Sequence, residues 1–399
     1  MASNRRCRTM KLVLFLKVSM CTLFVHFGYS CAGSIEADSD GRCFPLLFAF
    51  GDSLSDTGNA QHIFPLEQKR AAMLPYGQTF FNRPNDRFSD GRLLIDFIAQ
   101  ALRLPLLNPY VKSAGTSFQQ GVNLATSGAT ATDIAFLVPY TLRVQLYWLR
   151  KFKANILERL GSNDTLQSSL PPLDSISKAL YVVWIGGNDY NARLFVYNMT
   201  MDQLTKSVDE VMNAMSSNLE DLYTEGARAI LIVNLPPVGC TPEVLTFVRG
   251  HPHEYDSVGC FRPYNEVFRA HNKVLKELWH NLTRLHPDAT FVHADYYAIS
   301  YDILRHPLKY GMANVMQACC GLGGSYNFDF SLQCGMILDI IGALYSPPAC
   351  KNPAIYSNWD GIHPTEAFSQ IVAAAFLTGQ YIEPADAFQN CTFDFSMFL

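Results

Sequence analysis

Ala179-Leu180-Tyr181-Val182-Val183-Trp184-Ile185 runs directly into Gly186-Gly187-Asn188-Asp189. Seven consecutive apolar residues, rich in β-branched and aromatic side chains and closed by a glycine turn, read as a strand buried on both faces. Four other stretches repeat the pattern. Leu46–Phe50 ends at the turn carrying Ser53, and Val122–Ala125 ends at Thr126-Ser127-Gly128-Ala129-Thr130. Ala229–Leu235 ends at Pro236-Pro237-Val238-Gly239, and Thr290–Ala294 ends at Asp295. Helical stripes lie between them. Leu204, Val208, Val211, Met215, Leu219 and Leu222 mark one, and Tyr264, Val267, Phe268, Leu275, Leu278 and Leu282 mark another. His271 falls on the second stripe, where a buried core histidine is the expectation. Pro364 suits the first turn of a last helix through Ala367, Ile371, Val372, Ala375 and Phe376. Strands alternating with helices give a doubly wound α/β sandwich.

The 399 residues are 49% hydrophobic and 17% charged, a globular composition with no repeat and no linker rich in Pro, Gly or Ser. The N-terminus differs. Arg5, Arg6, Arg8 and Lys11 precede an apolar stretch from Leu12 to about Gly28, followed by the small residues Ser30, Ala32 and Gly33. Residues 1–32 therefore read as a cleaved secretory signal peptide and 33–399 as a single domain. An uncleaved anchor is the rival, but Lys17 and His26 interrupt the stretch. Secretion to the extracellular space is the expected destination, and the vacuole uses the same entry route. Cleavage takes the formal charge from −4 to −9, the wrong sign for a nucleic-acid partner. It leaves eight cysteines, an even number suited to an oxidising compartment. Cys240 with Cys260, and pairings among Cys319, Cys320, Cys334 and Cys350, fit loop proximity, but connectivity stays open. A zinc site is the alternative use, and no Cys-x-x-Cys pair supports one. Asn163, Asn198, Asn281 and Asn390 head glycosylation sequons, which behind a signal peptide are expected to be surface positions.

Ligands of an open α/β sheet bind beyond the carboxyl ends of its strands, where Ser53, Gly128 and Asn188 all fall. Near the other end of the chain, Asn358-Trp359-Asp360-Gly361-Ile362-His363-Pro364 places a carboxylate three residues before a histidine. Serine, histidine and aspartate together turn a weak hydroxyl into a nucleophile at neutral pH. Ser53 would attack, His363 would carry the proton, and Asp360 would fix the imidazole. The backbone N–H groups of Ser53 and Gly128 and the side-chain amide of Asn188 would hold the oxyanion. Singly, each has an ordinary reading as a helix cap, a turn glycine, a left-handed residue or a surface turn. Their convergence at strand ends favours chemistry. Gly-x-Ser-x-Gly is absent, because residue 55 is serine, which argues against the α/β-hydrolase elbow. Gly321-Leu322-Gly323-Gly324 does not match a phosphate cradle.

Four blocks carry a resemblance to the plant GDSL esterase/lipase family of the SGNH hydrolases: residues 48–59, 121–130, 184–190 and 358–368. Further similarity lies at 87–99, 235–242 and 318–328, so it spans essentially the whole chain after the leader. The resemblance implies a three-layer, flavodoxin-like α/β/α sandwich with a five-stranded parallel sheet. It also implies a Ser53-His363-Asp360 triad, an oxyanion hole of Ser53, Gly128 and Asn188, and no cofactor or metal. Thr126-Ser127 departs from the small apolar residues or glycine common there, which bears on pocket polarity. In overall style the chain is similar to the branch containing acetylajmalan esterase and sinapine esterase.

The expected function is hydrolysis of carboxylic esters of a small acylated plant metabolite, acetyl or phenolic, through an acyl-enzyme. Transfer of the acyl group to another alcohol is the alternative, and a vestigial binding or defence protein is a third reading. The expected partner is a small-molecule ester, with no stable membrane insertion once the leader is gone. Segments 61–90, 240–262 and 311–357 read as long loops, suited to building a substrate pocket.

Overall fold

Each of the five apolar runs forms a strand: β1 (Leu47–Gly51), β2 (Gly121–Asn123), β3 (Leu180–Trp184), β4 (Ala229–Val233) and β5 (Thr290–Ala294). They lie parallel in the order β5-β4-β3-β1-β2. A two-residue strand, Ile382–Glu383, pairs antiparallel with β5 and makes the sheet six-stranded. The structure is a computed structural model that describes Ile35 and residues 43–398, apart from residues 68, 113–114, 135, 137, 160–168 and 342. The expected signal peptide and the Asn163 sequon lie outside the described residues.

Alternation along the strands sorts their side chains into two cores. Phe48, Phe50, Tyr181, Val183, Ile230 and Ile232 face helices Leu142–Arg159, Val208–Thr224 and Arg262–Leu285. Leu47, Ala49, Val182, Trp184, Leu231 and Val233 face helices Leu94–Ala101, Tyr296–Arg305 and Glu366–Leu377. Helices on both faces of a parallel sheet make the α/β/α sandwich, and they explain why the strands are apolar throughout rather than alternating. The strand order reverses between β1 and β3, so the turns after these strands open a crevice at the switch point.

Some expectations shift in detail. The stripe beginning at Leu204 is split at Ser207 into Met201–Lys206 and Val208–Thr224. Pro364 precedes the last helix rather than entering it. Thr365 is the N-cap, its hydroxyl accepting from the Phe368 N–H at 3.3 Å. Segment 311–357 is not a bare loop: Asn314–Ala318 pairs in parallel with Tyr356–Asn358, and Leu338–Ile340 forms a hairpin with Ala343–Tyr345. His271 is fully buried against the Tyr190 hydroxyl at 2.9 Å, and burial lowers its pKa to about 3.

The eight cysteines after the expected cleavage point form Cys43–Cys391, Cys240–Cys260, Cys319–Cys350 and Cys320–Cys334. The first ties together positions 348 residues apart. The last two enter a small third core with Tyr76, Phe88 and Trp359. Two buried ion pairs account for three of the four charged residues in block 87–99, and the fourth, Asp90, accepts from the Glu366 N–H at 2.8 Å. Arg87 clasps Asp96 through two N–H donors at 2.7 and 2.8 Å. Arg92 clasps Glu366, at the start of the last helix, at 2.7 Å.

The sheet's central packing generates one expectation. Phe48 is fully buried, stacked on Tyr181 at 5.0 Å and edge-on to Phe152 at 5.9 Å. Phe48→Ala should therefore cost about 3–5 kcal/mol of unfolding free energy. Urea denaturation followed by tryptophan fluorescence measures it.

Candidate active site

The turn after β1 is set by Gly51. Its φ of +152° and a Trp184 carbonyl oxygen 2.3 Å from where a Cβ would stand leave room only for glycine. The Gln145 side-chain amide grips this glycine's backbone, accepting from its N–H at 2.8 Å and donating to its carbonyl at 2.7 Å. The chain then folds over itself, with the Asp52 carbonyl accepting from Ser55 and Asp56 N–H at 3.0 and 2.9 Å. Ser53 stands at the head of that turn, half-buried.

The turn before the last helix meets it. His363 Nε2 lies 2.8 Å from Ser53 Oγ, and His363 Nδ1 lies 2.8 Å from Asp360 Oδ2. Asp360 is fully buried, yet its other oxygen accepts from the backbone N–H of Ile362 and His363 at 3.0 and 2.9 Å. Burial by itself would raise this carboxyl. The facing His363, the charge of Arg70 and the backbone donor outweigh it and hold the group well below the usual carboxylate range. The turn is closed by a Trp359 N–H to His363 carbonyl bond of 2.7 Å and by Asn358, which accepts from Gly361 N–H at 2.6 Å. Gly361, at φ +103°, lies so close to Phe328 that a Cβ would stand 2.0 Å from the ring.

Three residues from segment 61–90 stand behind this turn. The Tyr76 hydroxyl donates to Asp360 Oδ2 at 2.7 Å. Burial, then the charge of Asp360, raise the Tyr76 pKa well above normal, so it remains a donor. Arg70 has a buried Nη1 with no hydrogen-bond partner among the described residues. Phe88 packs on the imidazole at 4.9 Å between centroids. Segment 61–90, expected to build a substrate pocket, lines a separate hollow with His62, Phe81 and Arg83 rather than the cavity beside Ser53, and supports the His363 turn from the rear.

Gly128 and Asn188 are also brought to Ser53's edge. Gly128 turns at φ +81°, and Asn188 Nδ2 donates to the neighbouring Ala129 carbonyl at 3.0 Å, leaving its second amide hydrogen free. Two buried carboxylates fasten these turns together. Asp56 accepts from Gly58, Asn59 and Ala60 N–H within its own turn and from Ser127 N–H at 2.8 Å. Asp189 accepts from Ala131 N–H, Thr132 N–H and the Thr132 hydroxyl at 2.7, 3.0 and 2.6 Å. Ser53, His363 and Asp360 thus form one hydrogen-bonded chain, Asn188 lines the same cavity as Ser53 and His363, and the turn carrying Gly128 is tied to the Ser53 turn through Asp56. The three described sequon asparagines, Asn198, Asn281 and Asn390, lie elsewhere and are exposed.

A cavity of about 120 Å³ opens beside Ser53, Asn188 and His363, walled by Leu54, Leu235 and Ile362 among others. Two carboxyls also line it. Burial raises Asp52 to about 7, with Leu54 N–H pulling it back and Asp189 and Asp56 adding to the rise. Burial raises Glu243 to about 8, reinforced by Asp360 and opposed by Arg70.

Residues 47–376 match the GDSL-like Lipase/Acylhydrolase family. The chain belongs to that family. It is 36% identical over 365 residues to an esterase of Hevea brasiliensis, covering 89% of this chain and 90% of that one. It is 37% identical over 367 residues to a sinapine esterase of Brassica napus, covering 88% and 90%. As a GDSL esterase/lipase it is a carboxylic-ester hydrolase, and its substrate is a small-molecule ester.

Two expectations follow from the groups around Asp360. Tyr76→Phe removes a neutral donor to an ionised carboxylate and should lower kcat for p-nitrophenyl acetate about tenfold with KM little changed. Normalising kcat to the fraction of protein labelled by a fluorophosphonate separates this effect from a loss of folded enzyme, which would also leave KM unchanged. Glu243 keeps its proton in the folded protein up to about pH 8, whereas the unfolded chain releases it near 4.5. Its contribution is therefore fully present below pH 4.5 and lost as pH rises through about 8. Glu243→Gln should flatten that decline, seen as a urea midpoint that gains on the native protein's between pH 5 and pH 9.

Proposed function

We propose that the protein is a secreted serine esterase that hydrolyses small esters through an acyl-enzyme on Ser53. The hydrogen-bonded chain Ser53–His363–Asp360, with 2.8 Å at each link, carries this reading. Ser53 Oγ attacks the ester carbonyl carbon as His363 Nε2 takes its proton. Asp360 stays ionised and holds Nδ1–H, fixing the tautomer and stabilising the imidazolium. The carbonyl oxygen, now an oxyanion, accepts from Ser53 and Gly128 N–H and the free amide hydrogen of Asn188. Collapse expels the alcohol, which takes the proton from His363. Water, deprotonated by His363, then attacks the acyl-enzyme, and the acid leaves as Ser53 recovers its proton.

The cavity's small volume supports an acetyl or compact phenolic acyl group rather than a long fatty chain. The Brassica relative's name, sinapine esterase, fits small-ester chemistry. Export is supported by the basic and apolar leader at 1–32, by four disulfides, and by exposed sequons at Asn198, Asn281 and Asn390. No helix among the described residues is long and apolar enough to cross a membrane. Residues 33–399 would then be the mature single-domain enzyme.

Ser53→Ala should abolish p-nitrophenyl acetate hydrolysis while leaving the far-UV circular dichroism and melting profile in place. A fluorophosphonate probe should label the native protein and not the variant. Activity retained in Ser53→Ala would refute the assignment.

A further inference from the structure

Of the two carboxyls that line the cavity, Asp52 accepts from the Leu54 N–H at 3.0 Å, whereas Glu243 has no evident task. It is only 9% exposed, lines the same cavity as Ser53 and His363, and its carboxyl has no hydrogen-bond partner among the described residues. Four nearby polar side chains are already engaged, while the buried Ser300 hydroxyl on the same cavity has no partner among the described residues. The Thr241 hydroxyl donates to the Val238 carbonyl at 2.8 Å, Ser357 donates to the Val315 carbonyl at 3.0 Å, and Asn358 accepts from Gly361 N–H. Asn191 accepts from the Tyr264 hydroxyl at 2.7 Å. A buried polar group left unmatched is costly, and in a substrate cavity the substrate is the available partner.

The position of Glu243 says which part of the substrate it meets. Its backbone N–H donates at 3.0 Å to the Gly361 carbonyl, inside the turn that carries His363. That bond fixes the Glu243 backbone on the imidazole's flank of the cavity, which the residue lines together with His363. In ester cleavage the departing alcohol lies on that flank, because His363 Nε2 must hand it a proton. The acyl oxygen turns the other way, toward Gly128 and Asn188. Burial keeps the Glu243 carboxyl protonated at neutral pH, so it offers an O–H donor and a carbonyl acceptor rather than a charge. Arg70 already supplies the positive charge acting on Glu243, which disfavours a cationic ligand there.

We propose that Glu243 is a specificity-determining residue that hydrogen-bonds a second oxygen on the alcohol half of the ester, selecting short-chain acyl esters of diols and polyols. The inference rests on the reading of Ser53 and His363 given above. A site built around such a bond rejects the analogue lacking it, because its own buried group is then unpaired.

The test compares ω-hydroxyalkyl acetates of two, three and four carbons with n-alkyl acetates of matching length, beside p-nitrophenyl acetate. The native enzyme should favour the best hydroxyalkyl ester over its alkyl partner by about 10–100-fold in kcat/KM. Glu243→Leu should reduce that ratio to within about threefold, while Glu243→Gln, which still donates and accepts, should keep most of it. The ratio is internal to each protein, so a general loss of activity does not mimic the effect. The native enzyme and the glutamine variant suffice if the leucine variant does not fold: a ratio near one in the native enzyme overturns the proposal. So does a ratio unchanged in Glu243→Leu, or a preference for aminoalkyl over hydroxyalkyl acetates. Hydrolysis of p-nitrophenyl acetate without any hydroxyl preference overturns this inference alone. Absence of turnover on every acetate, with Ser53 unlabelled by fluorophosphonate, removes the esterase reading and this inference with it.

Discussion

Asp360 has no access to solvent, and an ionised carboxylate in that position is tolerated only if its surroundings replace what water supplied. Much of the site's architecture follows from that requirement. Two backbone N–H groups, a tyrosine hydroxyl and an imidazole reach its oxygens, and a nearby guanidinium adds charge. They come from three parts of the chain, the backbone donors and the imidazole sharing the turn of Asp360 itself. Tyr76 arrives from the segment after the first short helix, His363 from the same turn, and Arg70 from the Lys69–Ala72 turn. The turn holding Asp360 is pinned in place by the disulfide-laced segment behind it: Cys319 and Cys320 N–H donate to the Asn358 and Trp359 carbonyls at 3.0 and 2.6 Å. Keeping one charge buried has thus recruited a small core of its own, separate from the two that flank the sheet.

The sheet supplies the other half of the site. Because strand order reverses between β1 and β3, the turns bearing Ser53 and Asn188 diverge and leave a gap between them, and the β2 turn brings Gly128 alongside. Asp56 and Asp189 hold these turns at fixed separation by hydrogen bonds that cross from one to the next. Preorganised donors of this kind need no rearrangement as negative charge develops on a substrate oxygen.

What was legible in the sequence and what was not divides along physical lines. The five parallel strands announced themselves because strands buried on both faces must be apolar at every position, and Ala179–Ile185 is. Ser53, Gly128, Asn188, Asp360 and His363 were legible because each lies in a turn at a strand end or just before a helix. Tyr76, Arg70 and Glu243 carried no such mark. Their importance depends on the three-dimensional return of segments 61–90 and 240–262 to the acid–base turn, and neither segment has a hydrophobic period that fixes its path. Ile382–Glu383 is too short to alternate visibly, and the pairing of Asn314–Ala318 with Tyr356–Asn358 is irregular in register. The cysteines were counted correctly as an even set, but the Cys43–Cys391 bridge joins residues that only the folded chain brings near.

Ser53 and His363 are separated by 310 residues, with Ser53 just after the first strand and His363 just ahead of the last long helix. A ribosome therefore finishes almost the entire sheet before His363 is made. The bridge from Cys43 must likewise wait for Cys391, eight residues from the end of the chain. A chain that has not reached His363 can bury its parallel strands and still lack the side chain that hydrogen-bonds Ser53.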